Sequence, residues 1–199
     1  IAAIDHGVTI GVPKGAEDAL GTVARIIDLE PDAVLLGPGL LARGGDLFAF
    51  GGAPATIMRT DWIINDPRLT ALGQGEAYRE ISSPRHAVEL GADAVIMFLI
   101  MGVEQGSMFA DNIRAIGRAA EEAYRLGMPL LVEATLWGSR ISDRKDAELL
   151  AYASRTAAEL GAAAIKTEWC GDRAEMTDII NGTPVPVVVL GGAKAPTPE

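Results

Sequence analysis

The sequence is poor in cysteine, histidine and basic residues. Its 199 residues include one cysteine, Cys170, and two histidines. An intrachain disulfide and a zinc site built from several thiolates are therefore excluded. Lys and Arg number 17 against 27 Asp and Glu, and the resulting net charge of −10 repels polyanions. We predict no nucleic-acid partner, although a small anion remains compatible with local amides and one or two lysines.

The sequence also lacks a long apolar run. The longest such run covers residues 94–103 (AVIMFLIMGV), well short of the roughly 20 residues that cross a bilayer. No basic segment precedes an apolar stretch at the start, so we predict no membrane association and no export signal. The single thiol favours the reducing cytoplasm. With 49% hydrophobic and 22% charged residues, residues 1–199 are expected to form a single domain.

A repeated join between a helix end and an apolar strand organises the chain. In each copy a leucine ends an apolar helix stripe and a continuous apolar strand follows, typical of parallel sheets covered on both faces. The copies read LEPDAVLLG (29–37), LGADAVIMF (90–98), LGMPLLVEA (126–134) and LGAAAIKTE (160–168). Three further apolar segments, at 1–4, 55–60 and 186–190, bring the predicted strands to about seven.

Helical patterning at 16–29, 108–126 and 143–160 alternates with these strands, so the predicted fold class is α/β. A doubly wound open sheet would carry a Gly-x-Gly-x-x-Gly turn after its first strand, and DHGVTIGVPKG lacks that spacing. Polar residues concentrate at the strands' carboxyl ends, which favours a (β/α)8 TIM barrel. Because such barrels take roughly 250 residues, we expect a barrel truncated at both ends, without its eighth βα unit.

Lys166 is the sharpest chemical signal. It ends the apolar strand AAAIK, where low-dielectric walls disfavour an ammonium and favour a neutral amine. Such an amine can attack a carbonyl and form a Schiff base. The alternative is a structural lysine that reaches solvent or pairs with Glu168 or Asp172. Position alone does not separate these two interpretations.

Asp5 and His6 end the first predicted strand. Asp5 could hold the lysine and move protons, while His6 could bind a substrate hydroxyl. Alternatively, Asp5 caps a turn and His6 packs beside it. Large apolar side chains are expected to line or roof the pocket rather than bind a cofactor: Met97, Phe98, Met101, Trp137 and Trp169.

Glu133 and Thr135 are two residues apart on the fifth predicted strand, so they share one face. Both could reach the barrel mouth if Lys166 lies beside them. Glu133 could then relay protons, or it could only neutralise Arg140 or Lys194.

A glycine-rich segment follows the seventh predicted strand. Gly191 and Gly192 would let main-chain amides approach a phosphate, and Lys194 would add a positive charge. Barrels often bind phosphate after strands seven and eight. A Gly-Gly pair can also be a simple turn.

The spaced motifs together resemble the class I aldolase family of archaeal-type fructose-bisphosphate aldolases. That family shares its barrel with deoxyribose-phosphate aldolase and the autoinducer-2 phosphate thiolases. The motifs run in order along the chain: AIDHG (3–7), ELGADAV (89–95), LGMPLLVE (126–133), AAELGAAAIKTEWCGD (157–172) and PVPVVVLGGAK (184–194).

The resemblance implies that Lys166 forms the Schiff base, that Asp5 lies by it, and that Gly191, Gly192 and Lys194 hold a substrate phosphate. It also implies a homo-oligomer and chemistry that needs no metal or organic cofactor. The Tyr-Pro-Arg-Gly segment usual after the family's fifth strand is absent, and Thr135 replaces its proton-transferring tyrosine. Glu133 could supply that relay instead.

We therefore predict a carbon–carbon lyase that acts on a phosphorylated ketose such as fructose 1,6-bisphosphate. Two alternatives keep the imine: an aldol-transfer synthase similar to aminodideoxyheptulosonate synthase, and a phospho-thiolase similar to autoinducer-2 phosphate thiolase. Two others abandon it: an inactive barrel that only binds sugar phosphates, and a flavin or nicotinamide barrel.

Overall fold

Strands and helices alternate through the computed structural model, which describes residues 1–64 and 66–191. None of its helices is long and apolar enough to cross a membrane. The strands are β1 (Ala2–Ala3), β2 (Ala33–Leu36), β3 (Ala55–Arg59), β4 (Asp61–Ile64), β5 (Ala77–Glu80), β6 (Ala94–Met101), β7 (Leu130–Leu136), β8 (Ala164–Thr167) and β9 (Val187–Val189). The helices are α1 (Ala19–Ile27), α2 (Pro38–Gly44), α3 (Pro67–Thr70), α4 (Pro84–Glu89), α5 (Gly106–Leu126), α6 (Ala147–Glu159) and α7 (Arg173–Asn181), with 3-10 turns at Asp5–Val8 and Gly45–Phe48.

Seven strands form one parallel sheet in the order β1-β2-β3-β6-β7-β8-β9. They correspond to the seven strands predicted from the sequence. The two edge strands, β1 and β9, line one common cavity, which shows that the sheet is curled. The predicted α/β barrel class is confirmed, and the described residues supply seven parallel strands of it.

Side chains alternate between two apolar layers along each strand. Outward residues such as Val34 and Met58 pack under the helices, whereas inward residues such as Leu35, Ile57 and Ile96 fill the interior of the curled sheet. The strands therefore read as continuous apolar runs, as expected when both faces are covered. The interior is apolar toward the strands' amino ends, which leaves the polar inward positions at the carboxyl ends.

Side-chain caps set the helix starts and explain two differences from the predicted bounds. Helix α1 begins at Ala19, not at residue 16, because Asp18 accepts a backbone N–H of the first turn. Helix α6 begins at Ala147, not at 143, because Asp146 does the same. Helix α5 ends at Leu126, and the φ of +65° at Gly127 is the left-handed cap expected of the repeated Leu-Gly join.

The antiparallel hairpin of β4 and β5 was not predicted. The hairpin leaves the main sheet directly after β3, so the carboxyl-terminal half of β6 has no neighbouring strand on the side of β3. Two side chains complete the hydrogen bonding there. Asp61 accepts the Phe98 N–H at 2.7 Å, while Asn112 accepts the Ile100 N–H at 3.0 Å and donates to the Phe98 carbonyl at 2.8 Å. Buried backbone groups are thereby satisfied without a strand.

Candidate active site

Lys166 and Glu133 lie side by side at the carboxyl ends of β8 and β7. They are register partners in the parallel ladder, so their side chains point to the same, inner face of the sheet. Lys166 Nζ lies 3.1 Å from Glu133 Oε1, and both side chains are largely buried, with 13% and 10% exposed. The ion pair of Lys166 forms with Glu133, whereas Asp172 caps α7.

Arg59 occupies the centre of this end of the sheet. Its side chain is 1% exposed, and its guanidinium lies 3.6 Å above the Phe98 ring. Arg59 Nη2 donates to Glu133 Oε2 at 2.6 Å, and Nε donates to Asp5 Oδ2 at 2.8 Å. Burial lowers the pKa of Arg59, but the surrounding carboxylates of Asp5, Glu133 and Asp61 outweigh it and raise the pKa overall.

Asp5 and His6 lie on the 3-10 turn that follows β1. Asp5 is buried and contacts Arg59, so it reaches the Lys166 region through Arg59 and Glu133. His6 is exposed and lines the same cavity. Asp5 does not act as a turn cap, because its carboxylate accepts a hydrogen bond from Arg59, 54 residues away in the sequence.

Asp61 forms a second, deeper layer behind Arg59. Its carboxylate is fully buried, with Oδ1 3.5 Å from Arg59 Nη1. Burial raises the pKa of Asp61 to about 7, although Arg59 and the Phe98 N–H pull it down. The buried Tyr78 hydroxyl lies nearby, and burial followed by the charge of Asp61 raises its pKa as well.

A cavity of about 440 Å³ opens above these groups. Its walls are formed by both edges of the curled sheet and by the polar strand ends between them. Its lining residues are Ile1, Ala3, Asp5, His6, Thr9, Arg59, Phe98, Glu133, Lys166, Val188, Val189, Leu190 and Gly191. The cavity is large enough for a small sugar derivative in contact with Lys166.

Four predicted positions remain: Thr135, Gly191, Gly192 and Lys194. Thr135 is buried on β7, two residues beyond Glu133, and its hydroxyl has no hydrogen-bond partner among the described residues. Gly191 lines the cavity. Gly192 and Lys194, the rest of the predicted phosphate loop, lie outside the described residues.

The predicted lining was correct for one side chain and wrong for another. Phe98 faces the cavity, but Met97, its neighbour on β6, packs in the outer layer beneath the helices. Successive strand residues point to opposite faces, so the two could not both line the mouth. Trp169 is 42% exposed beside the half-buried Glu168. Burial raises the pKa of Glu168, partly offset by the charge of Arg144.

Hydrogen bonds join the loops that follow β6 and β7. The Trp137 and Gly138 N–H groups donate to the Met101 carbonyl. A side chain at Gly138 would overlap the Gly102 backbone, so only glycine fits at this crossing. The Glu76 carboxylate accepts the backbone N–H groups of Glu104 and Ser139. These hydrogen bonds outweigh burial and lower the pKa of Glu76.

A lysine and a carboxylate in contact at the carboxyl end of a curled parallel sheet are the groups that a barrel enzyme of the Schiff-base aldolase type requires. Within the described part of the chain, no group of His, Cys, Asp or Glu is placed to hold a metal ion. A family profile described as DeoC/LacD family aldolase matches residues 1–197. The chain belongs to this aldolase family, as the sequence motifs predicted.

Two similar proteins are named as an aldolase and as a synthase. A protein named uncharacterized aldolase from Saccharolobus solfataricus is 29% identical over 201 residues, which is 100% of this chain and 74% of that protein. The 2-amino-3,7-dideoxy-D-threo-hept-6-ulosonate synthase of Halobacterium salinarum is 32% identical, across 96% of this chain and 68% of that enzyme.

Solved structures support the same fold. An archaeal fructose 1,6-bisphosphate aldolase superimposes with a TM-score of 0.82 at 25% identity, covering 98% of this chain and 75% of that one. A Schiff-base-forming fructose-1,6-bisphosphate aldolase, described with its reaction intermediates, gives 0.82 at 26% identity over 98% and 76% of the two chains.

Sequence reasoning missed Arg59 as a site residue. It was visible only as a polar residue that ends the apolar strand ATIMR, and nothing local to that strand indicates three carboxylate partners. Those partners come from the β1 turn, from β4 and from β7. Only the curled sheet brings them together.

Proposed function

We propose that this protein is a class I aldolase that acts on a phosphorylated ketose such as fructose 1,6-bisphosphate, with Lys166 as the nucleophile. The observation that carries the proposal is the 3.1 Å contact between Lys166 Nζ and Glu133 Oε1 inside the cavity. Glu133 can take the proton that Lys166 must lose before its amine attacks a carbonyl. The family membership and the aldolase neighbours support this assignment.

The reaction begins when the neutral Lys166 amine adds to the ketose carbonyl carbon. Loss of water from the resulting carbinolamine gives a protonated imine. Removal of a proton from the hydroxyl on the β-carbon lets the adjacent carbon–carbon bond break, and its electron pair moves toward the imine nitrogen. An aldehyde leaves and an enamine remains. Protonation of the enamine carbon and hydrolysis of the imine then release the ketone and restore Lys166.

Glu133 and Asp5 are the groups proposed to move these protons, in place of the tyrosine whose position Thr135 takes. Each has one oxygen bound to Arg59 and a second oxygen available to other partners. We assign the cavity's His6 to a substrate hydroxyl, and Gly191, Gly192 and Lys194 to the phosphate. The enzyme is proposed to work in the cytoplasm as a homo-oligomer.

Aldol transfer is the second candidate. The Halobacterium salinarum relative and a Streptomyces griseus relative, 30% identical over 98% of this chain, are both named as synthases that make seven-carbon amino sugars or related acids. The same enamine serves this reaction if it attacks a second aldehyde instead of taking a proton.

The test is borohydride trapping followed by intact-mass analysis. The wild type, Lys166→Ala and the control Lys145→Ala, an exposed lysine, are each incubated with dihydroxyacetone phosphate or fructose 1,6-bisphosphate and then reduced. An adduct in the wild type and in the control, lost in Lys166→Ala, supports the proposal. No adduct on folded wild type would instead favour a barrel that only binds sugar phosphates.

A further inference from the structure

The guanidinium of Arg59 contacts more of the candidate site than any other group in it. Its three nitrogens face three different carboxylates: Nε faces Asp5, Nη2 faces Glu133 and Nη1 faces Asp61. Its flat face rests on Phe98. A side chain that is 1% exposed and held on every edge has little rotational freedom.

The contacts leave each proposed proton carrier with one defined oxygen. Arg59 binds Oε2 of Glu133, so Oε1 is the oxygen that meets Lys166. Arg59 also binds Oδ2 of Asp5, which leaves Oδ1 as the oxygen without an Arg59 contact. The carboxylates arrive from the β1 turn and from β7, and Arg59, on β3, is the element that fixes their relative orientation.

We propose that Arg59 is a positioning residue that aims Asp5 and Glu133 at the carbon bound to Lys166. This inference rests on the proposed Schiff-base function. Arg59 is not proposed to form or break a bond with the substrate. Its role is to hold the two carboxylates in a fixed orientation, with Asp61 and Phe98 holding Arg59 in place.

A lysine could supply the charge of Arg59 but not its geometry. Arginine presents donors in a rigid planar fork and stacks on aromatic faces, whereas a lysine ammonium is one point charge on a flexible stem. A single ammonium cannot reproduce the distances from Arg59 to Asp5 and Glu133 at once. Charge and geometry can therefore be separated by mutation.

The experiment uses dihydroxyacetone phosphate as the probe in two assays. Borohydride trapping reports the imine on Lys166, and exchange of the probe's hydroxymethyl protons with solvent deuterium, followed by NMR, reports proton transfer from that imine. Arg59→Lys keeps the charge and removes the fork. The double variant Arg59→Gln with Asp61→Asn removes the guanidinium together with the buried carboxylate behind it.

We expect Arg59→Lys to form the adduct within about threefold of wild type and to exchange protons about 100-fold more slowly, since a positioned base contributes on the order of 10² to 10⁴ in rate. Its pH profile should stay close to wild type. In the double variant Asp5 and Glu133 lose the hydrogen bonds donated by the Arg59 guanidinium, so proton exchange should again fall about 100-fold relative to adduct formation. Melting temperatures of both variants verify folding.

The outcomes separate the two proposals. Absence of an adduct on the wild type overturns the Schiff-base function itself. Normal adducts with an unchanged ratio of exchange to trapping in Arg59→Lys overturn only the positioning role and make Arg59 a structural residue. The control is Asp93→Asn. Asp93 contacts Thr56 at the amino end of β3, away from the cavity, so this change should leave both assays unchanged.

Discussion

The two ends of strand β3 meet opposite kinds of neighbours. At the amino end, Thr56 donates its N–H at 2.7 Å and its hydroxyl at 3.1 Å to one oxygen of Asp93. At the carboxyl end, Arg59 meets three buried carboxylates, and its Nη1, like Asp61 Oδ1, has no hydrogen-bond partner among the described residues. Thr56 and Arg59 are only three positions apart in the sequence.

The difference shows where the fold gives up stability. Hydrogen bonds satisfy Thr56 at little cost, because its partner Asp93 is exposed to solvent. Burying several charges is costly unless every one is well paired, and here the pairing is incomplete. Barrels place stabilising contacts at the amino ends of their strands and catalytic residues at the carboxyl ends. The two ends of β3 follow that division.

Glu133→Gln should produce the largest effect on the carboxyl-terminal side. The amide keeps the size of the side chain and one acceptor for Arg59 but cannot take a proton from Lys166. We expect deuterium exchange of dihydroxyacetone phosphate to fall about 100-fold or more. The matched control is Glu159→Gln on the surface of α6, where Glu159 pairs with Arg155. Equal rates in both variants would remove Glu133 from the mechanism.

Asp93→Asn should affect stability alone. It weakens the charge-assisted hydrogen bonds to Thr56, which we expect to cost about 1 kcal/mol and to lower the melting temperature by about 2–4 °C. Imine trapping by Lys166 should be unchanged. Thermal unfolding and trapping on the same preparation test this, and a loss of trapping at unchanged stability would contradict the division between the two strand ends.

Asp61→Asn should give the smallest effect, and one that depends on pH. The pKa of Asp61 is raised from 3.8 to about 7, so its contribution to stability is full below about pH 4 and is lost as pH rises through 7. Asparagine imitates the neutral acid at every pH. We therefore expect the variant to gain thermal stability relative to wild type as the pH rises from about 4 to 7. A difference in melting temperature that stays constant over this range would show that burial does not disfavour the Asp61 charge.

The helix starts illustrate what local sequence can and cannot predict. The apolar stripes of α1, α5 and α6 were visible at their helical spacing, but two starts were placed three or four residues early. Asp18 and Asp146 decide those starts through capping hydrogen bonds. An aspartate near a helix start has several candidate roles, and only the backbone conformation selects one.

The candidate site divides in the same way. Lys166 stands out because a lone lysine ends an apolar strand, and Glu133 stands out because it interrupts another. Their contact depends on the register of β7 with β8, which places Glu133 directly beside Lys166. Asn112 and the β4–β5 hairpin were not predicted. Asn112 and Asp61 of the hairpin satisfy backbone groups of β6 where it has no neighbouring strand, and only the tertiary structure shows that need.

By itself the sequence determined the seven strands of the parallel sheet, the helices that alternate with them and the lysine near the carboxyl end of β8. These features depend on residue spacing within about ten positions, where periodicity and capping act. The tertiary structure alone decided that Arg59 would join Asp5, Asp61 and Glu133. Those residues are far apart along the chain, and a charge cluster of this kind forms only where the curl of the sheet brings distant strand ends together and excludes water.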